Sequence, residues 1–255
     1  MFDSEATRIY TEVRQKFISK FVSEVWRGSK LKTALDVGCG VGYFSEFLDN
    51  LGFGVVAIDG RDQNIAEARR RYLGIDFICM DAESDAFSKV GVFDFVLCVG
   101  LLYHLENPFR AIRNLHAATG EVLFLESMIA PGSKPQMSLI DETRVEDQGL
   151  NHVAFYPTES CCVKMLYRSG FPHVYRFKSL PTHPLLRGTI WSRQQRTMLV
   201  ASKKPLELSA LSLVPDKRES WEMMLTGRER LRSQLDRAVG RARRMQPRTS
   251  GSSRK

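Results

Sequence analysis

The chain has 255 residues, 43% of them hydrophobic, and a formal net charge of +8, enough to bury a sizeable core as one large domain or one domain with an appendage. No run approaches the ~20 apolar residues of a membrane span, and the start, MFDSEATRIY, has neither a basic nor an apolar signal region, so no membrane span and a cytoplasmic protein are expected. The five cysteines (Cys39, Cys79, Cys98, Cys161, Cys162) are odd in number and include no C-x-x-C pair, which argues against a disulfide framework and a zinc site.

Taken in chain order, Ile9, Val13, Phe17, Phe21 and Val25 recur every four residues within 4–28, the spacing of an amphipathic helix that Gly28 ends. Short apolar runs then alternate with helical patterns. The runs are TALDV at 33–37, GVVAID at 54–59, IDFICM at 75–80, FDFVLCV at 93–99 and EVLFLES at 121–127, with helices near 43–51, 62–73 and 107–117. Strands apolar on both faces belong to a parallel sheet covered on both sides. A polar stretch after Glu126, about 128–157, is too long for a simple connection and reads as a lid or substrate-contacting insert. A helix follows with Thr158 as its N-cap and Gly170 as its stop. HVYRF at 173–177 and RTMLVAS at 196–202 bring the strands to seven, separated by a loop with Arg187, Trp191 and Arg193. The fold class expected is α/β, a doubly wound, seven-stranded, mostly parallel sheet with a C-terminal helical extension.

In that extension Trp221, Met224, Arg228, Leu231, Leu235, Ala238, Ala242 and Met245 recur at steps of three and four. This is a heptad seam broken only at Arg228, so 215–246 reads as a basic helix and 247–255 as a disordered end. Twelve Lys or Arg against five Asp or Glu from Asp216 onward carry +7 of the +8, leaving residues 1–215 nearly neutral. The helix has three readings: a homodimer through its seam, docking of that seam on the main domain, or contact with RNA or membrane. Seams of this kind bury themselves, which favours the first two.

The stretch ALDVGCGVG is the chemical centre. Glycine between a strand and a helix lets a ligand approach the backbone closely. A dinucleotide fingerprint would be G-x-G-x-x-G, but here the glycines are Gly38, Gly40 and Gly42, and Tyr43 stands at the third place. Pyrophosphate is therefore disfavoured. Asp59, about twenty residues on, ends the next strand where a carboxylate can accept both hydrogen bonds of a ribose diol, and Asp81 with Ala82 follows the third strand where an acceptor can take an adenine amino group. Each acid has a second reading: Asp36 as a turn acceptor, Asp59 as part of a helix N-cap, Asp81 as a surface-loop acid. Their joint occurrence at consecutive strand ends favours an adenosine without a phosphate.

LDVGCGVGYFS, VVAIDG, FICMDAES and FDFVLCVGLLYHLENP resemble the successive cofactor motifs of the class I S-adenosylmethionine-dependent methyltransferases, over about residues 30–205. The resemblance implies a Rossmann-like fold whose last strand is antiparallel, S-adenosylmethionine as cofactor, and a methyltransferase domain at 31–205 with an N-terminal helix, 1–30, covering the cofactor site. It places Asp36, Gly38, Cys39, Gly40 and Gly42 at the methionine arm, Asp59 and Gly60 at the ribose, Asp81 and Ala82 at the adenine, and Val99, Gly100 and Leu101 under the cofactor. His104 is the first candidate general base, since imidazole titrates near neutral pH, and His152 in the insert is the second. The alternative for His104 is that it shapes the pocket with Tyr103. Tyr156, Arg187, Trp191 and Arg193 either contact substrate or pack the insert.

VGLLYHLENPFRAI, EVLFLES and NHVAFYPTESCCVKMLYRSGF also resemble the transfer-RNA wobble-uridine carboxymethyltransferases. Those proteins carry a substantial domain ahead of this fold, whereas about thirty residues precede the first strand here. With the nearly neutral main domain, this disfavours nucleic acid as a partner. The expected function is methyl transfer to a small metabolite, saccharide or natural-product acceptor, at oxygen. RNA methyl- or carboxymethyl transfer is the alternative, and a non-catalytic scaffold acting through the C-terminal helix is a third reading.

Overall fold

The computed structural model describes residues 4–27, 33–142, 150, 152–188, 193–218 and 227–245. The chain separates into two units, 1–216 and 217–255. Among the described residues no helix is long and apolar enough to cross a membrane.

Helix α1 (Glu5–Val25) starts at Ser4, whose hydroxyl accepts from Thr7 N at 3.2 Å, and buries Tyr10, Arg14, Ile18, Phe21 and Val22. The expected alternation follows: β1 (Thr33–Val37), α2 (Tyr43–Asn50), β2 (Gly54–Asp59), α3 (Asp62–Arg71), β3 (Asp76–Cys79), β4 (Phe93–Val99), α4 (Pro108–Ala118) and β5 (Thr119–Met128). The polar insert contains a two-stranded antiparallel sheet, β6 (Met137–Asp141) with β7 (Val153–Pro157). Then come α5 (Glu159–Arg168), β8 (His173–Phe177), β9 (Arg196–Ser202) and β10 (Leu211–Leu213).

The main sheet has the order β10-β8-β9-β5-β4-β1-β2-β3. Strands β3, β2, β1, β4 and β5 are parallel, and β9 runs antiparallel between β5 and β8. The sheet thus has eight strands rather than the expected seven. The addition, β10, is three residues long and pairs antiparallel with the edge strand β8, too short a run to announce itself as a strand. One core lies between the sheet and α4 and α5, another between the sheet and α1 and α2, so both faces are covered. Cys161 and Cys162 are buried thiols of α5 in the first of these.

Thr158 caps α5 by accepting from Cys161 N at 3.2 Å, and its hydroxyl donates back to Lys134 O at 2.7 Å, tying the insert to the helix. In the second unit α6 (Gly227–Met245) holds six of the eight heptad positions, with Leu231 and Leu235 exposed. Trp221, Met224, Trp191 and the tail at 247–255 lie outside the described residues.

Candidate functional site

The sheet reverses its winding between β1 and β4, and in open α/β sheets ligands bind beyond the strand ends at that point. A cavity of about 490 Å³ opens there. It collects Gly38, Cys39 and Gly40 after β1, Asp59 and Gly60 after β2, Asp81 and Ala82 after β3, and Val99, Gly100 and Leu101 after β4, with His104 beyond them. Ala6, Tyr10 and Arg14 of α1 also line it.

The glycine turn is held tightly. Gly38 N and Cys39 N both donate to Ile58 O, at 2.8 and 3.0 Å, Gly40 N donates to Asp59 Oδ2 at 3.0 Å, and Gly42 N to Cys39 O at 2.9 Å. These amides are committed within the chain, so the glycines provide close approach rather than donors for a ligand. Gly38 has φ +78°, and a Cβ there would stand 2.8 Å from Leu101 Cβ. Asp59 is the hub: Oδ1 accepts from Arg61 N at 2.9 Å and Asn64 Nδ2 at 3.0 Å, while Oδ2 takes Gly40 N. Each carboxylate oxygen carries further lone-pair capacity for a ribose hydroxyl. Asp81 accepts from Glu83 N at 2.8 Å and is exposed to the cavity.

Three expected site residues lie off the cavity wall. Asp36 is buried beneath the turn, where its Oδ2 accepts from Ser45 Oγ at 2.7 Å, and burial pushes its carboxyl up to about 7, with the Ser45 bond opposing and the charge of Asp59 adding. Gly42 caps α2 at φ +92°, packed against the Tyr72 ring. His152 is exposed with φ +56°, and its carbonyl accepts from Glu142 N at 2.9 Å. It is not brought to the cavity. Arg187 is turned to its own loop, with Nε donating to Leu180 O at 2.7 Å, and Tyr156 packs edge-on against Tyr103 at 5.5 Å.

Two groupings were not expected. His104 Nδ1 stands 2.7 Å from Glu142 Oε1, with side-chain exposures of 12% and 4%, so the insert brings a carboxylate beside the candidate base. Across the wall, Glu126 near the end of β5 is fully buried between two arginines: Arg196 Nη1 at 3.0 Å from Oε1 and Arg14 Nη1 at 3.6 Å from Oε2. Tyr10 Oη donates to Oε1 at 3.0 Å, and Arg196 Nη2 donates to Tyr103 Oη at 2.9 Å. Burial alone would raise the Glu126 carboxyl, but Arg196, Arg14 and the hydrogen bonds hold it below the usual carboxylate range. His183 packs on Tyr10 at 4.4 Å and is held below the usual imidazole range by burial and by both arginines.

Residues 35–119 match the family model described as a methyltransferase domain. Over those residues the chain is similar to methyltransferase domains, and its sheet order is that of a Rossmann-like fold. Over 114 residues it is 33% identical to a ubiquinone biosynthesis O-methyltransferase of Pseudomonas paraeruginosa, covering 43% of this chain and 45% of that one. It is 31% identical over 152 residues to a tRNA U34 carboxymethyltransferase of Actinobacillus succinogenes, covering 56% of this chain and 46% of the other. The chain thus spans about half the length of these relatives. The N-terminal domain of EvdMO1, solved with SAH bound, superposes with a TM-score of 0.57 at 17% identity over 74% of this chain and 81% of that one. The chain shares that fold, and its Asp59, Asp81 and glycine turn suit an adenosyl group in residue type and placement.

Proposed function

We propose that the protein transfers a methyl group from S-adenosylmethionine to an oxygen of a small acceptor. The observation that carries the reading is the His104–Glu142 pair beside the glycine turn and Asp59 on the wall of one cavity. The cofactor, when bound, supplies an electrophilic methyl group on a sulfonium. Asp59 holds the ribose diol, Asp81 and the small Ala82 accommodate the adenine, and the glycine turn admits the methionine arm. Helix α1 and the insert screen the cleft from water. Glu142 holds the Nδ1 side of the His104 ring, which leaves Nε2 to take the proton of an acceptor hydroxyl. General-base assistance of this kind is worth roughly 10²–10⁴ in rate.

RNA modification is the second reading, favoured by the likeness to the tRNA U34 carboxymethyltransferase and by the basic residues beyond Asp216. The test is transfer of isotopically labelled methyl groups in a cell extract, separated into small-molecule and RNA fractions. Label in the small-molecule fraction supports the reading, and label confined to RNA overturns it in favour of the second. His104→Gln is expected to lower kcat at least 10²-fold while cofactor affinity by calorimetry is unchanged. Wild-type kcat in that variant removes His104 from the reaction.

A further inference from the structure

We infer that the Arg14–Glu126–Arg196 cluster binds an anionic group, a carboxylate or phosphate, carried by the acceptor. The inference rests on the methyl-transfer reading for which molecule fills the rest of the cavity. Two guanidiniums share one carboxylate, and Tyr10 and Tyr103 stay protonated, because burial in the first place raises both phenols. The cluster therefore carries one excess positive charge. Arg14 and Arg196 both line the cavity, and their Nε atoms are buried without a hydrogen-bond partner among the described residues. While water fills the cavity the excess charge is solvated. A ligand that displaces this water without returning a negative charge leaves a desolvated cation, which is unfavourable.

The cluster's place in the sheet assigns it to the acceptor. The registers Val99↔Glu126, Cys98↔Val37 and Val37↔Ile58 set Glu126 and Asp59 at one height across β5, β4, β1 and β2. Three strand spacings of about 4.8 Å separate them by roughly 14 Å. The nucleoside end of the cavity lies over β1 to β3, whereas Glu126 and Arg196 lie over β5 and β9 at the opposite end. S-adenosylmethionine itself bears a sulfonium and an ammonium against one carboxylate. Even with its own carboxylate beside Arg14, cofactor and cluster together remain positive. The acceptor supplies the balancing charge, and two guanidiniums offer the planar donors that carboxylates and phosphates match.

The test is calorimetric titration of the protein saturated with S-adenosylhomocysteine, using benzoate, phenyl phosphate and the neutral benzamide as probes. At least one anion is expected to bind tenfold or more tightly than benzamide, and which of the two identifies the acidic group. Arg14→Gln, which leaves Glu126 paired with Arg196, is expected to abolish that preference, and Arg14→Lys to keep part of it. Equal binding of all three probes overturns the inference, as does an undiminished preference in Arg14→Gln. If Arg14→Gln weakens S-adenosylhomocysteine but not its decarboxylated analogue, the clamp belongs to the cofactor and the inference also falls. Failure of S-adenosylhomocysteine to bind at all overturns the methyl-transfer reading instead, and the anion preference is then read on the protein without it.

Discussion

Asp36→Asn tests the electrostatics beneath the glycine turn. The Asp36 carboxyl is 2% exposed and is raised from its ordinary 3.8 to about 7, first by burial and further by Asp59, against the Ser45 hydrogen bond. A carboxyl whose folded-state value is raised binds its proton more tightly when folded. Stability is therefore lost as pH climbs from the unfolded value through the folded one, and above about 7 the loss is complete and constant. At about 1.4 kcal/mol for each unit, the wild type loses about 1 kcal/mol by pH ~4.5 and about 4 by pH ~8. Asparagine does not titrate. Its amide brings a pH-independent cost of about 1–3 kcal/mol if its N–H₂ finds no acceptor, so the slope is the observable and not the absolute value. The variant minus wild-type difference in unfolding free energy from urea titrations is expected to grow in the variant's favour by about 3 kcal/mol between those two pH values. A difference that stays flat, or that runs the other way, refutes the burial argument.

Asp59→Asn removes the charge proposed to face the ribose of the cofactor. Hydrogen bonds to a charged acceptor are worth about 1.5–3 kcal/mol each, so the calorimetric Kd for S-adenosylmethionine is expected to rise at least 10²-fold, and an unchanged Kd removes Asp59 from the cofactor site. Gly38→Ala puts a methyl 2.8 Å from Leu101 Cβ at φ +78°. It is expected to lower stability by about 1–3 kcal/mol in thermal unfolding, and a Tm equal to wild type would show that the turn relaxes freely.

What the sequence discloses and what it withholds divide along contact range. Gly38, Gly40, Asp59 and Asp81 were legible because each stands at the end of a strand readable on its own, and the parallel topology then brings those ends to one cleft. The insert showed its polarity but not its hairpin: the β6 residues are all exposed, so no alternation of buried and exposed positions marks them as a strand. Glu142 was hidden for the same reason, being one acid among several in IDETRVED with no periodic partner. Its place beside His104 depends on the insert's β7 packing against the turn that holds Tyr103 and His104.

The Glu126 cluster leaves a fainter trace in the sequence. An acid inside EVLFLES, flanked by Leu125 and followed by Ser127 on a strand covered on both faces, must be neutralised or paired, because a lone buried carboxylate is too costly to keep charged. The spacing of Ile9, Val13 and Phe17 leaves Arg14 off the expected apolar face of α1, whereas in the structure Ile9 is exposed and Tyr10, Arg14 and Ile18 are buried. Arg14 and Glu126 answer each other across 112 residues, and Arg196 opens the neighbouring strand β9, paired two residues away in register at Met128. Glu126 is answered by Arg196 and by Arg14 together, so the fold keeps an excess charge at the cavity wall that apolar packing would not need. Buried ion clusters of this kind do little for stability relative to apolar residues of similar volume. A ligand that completes the charge balance, as inferred above, accounts for such a cluster on the cavity wall.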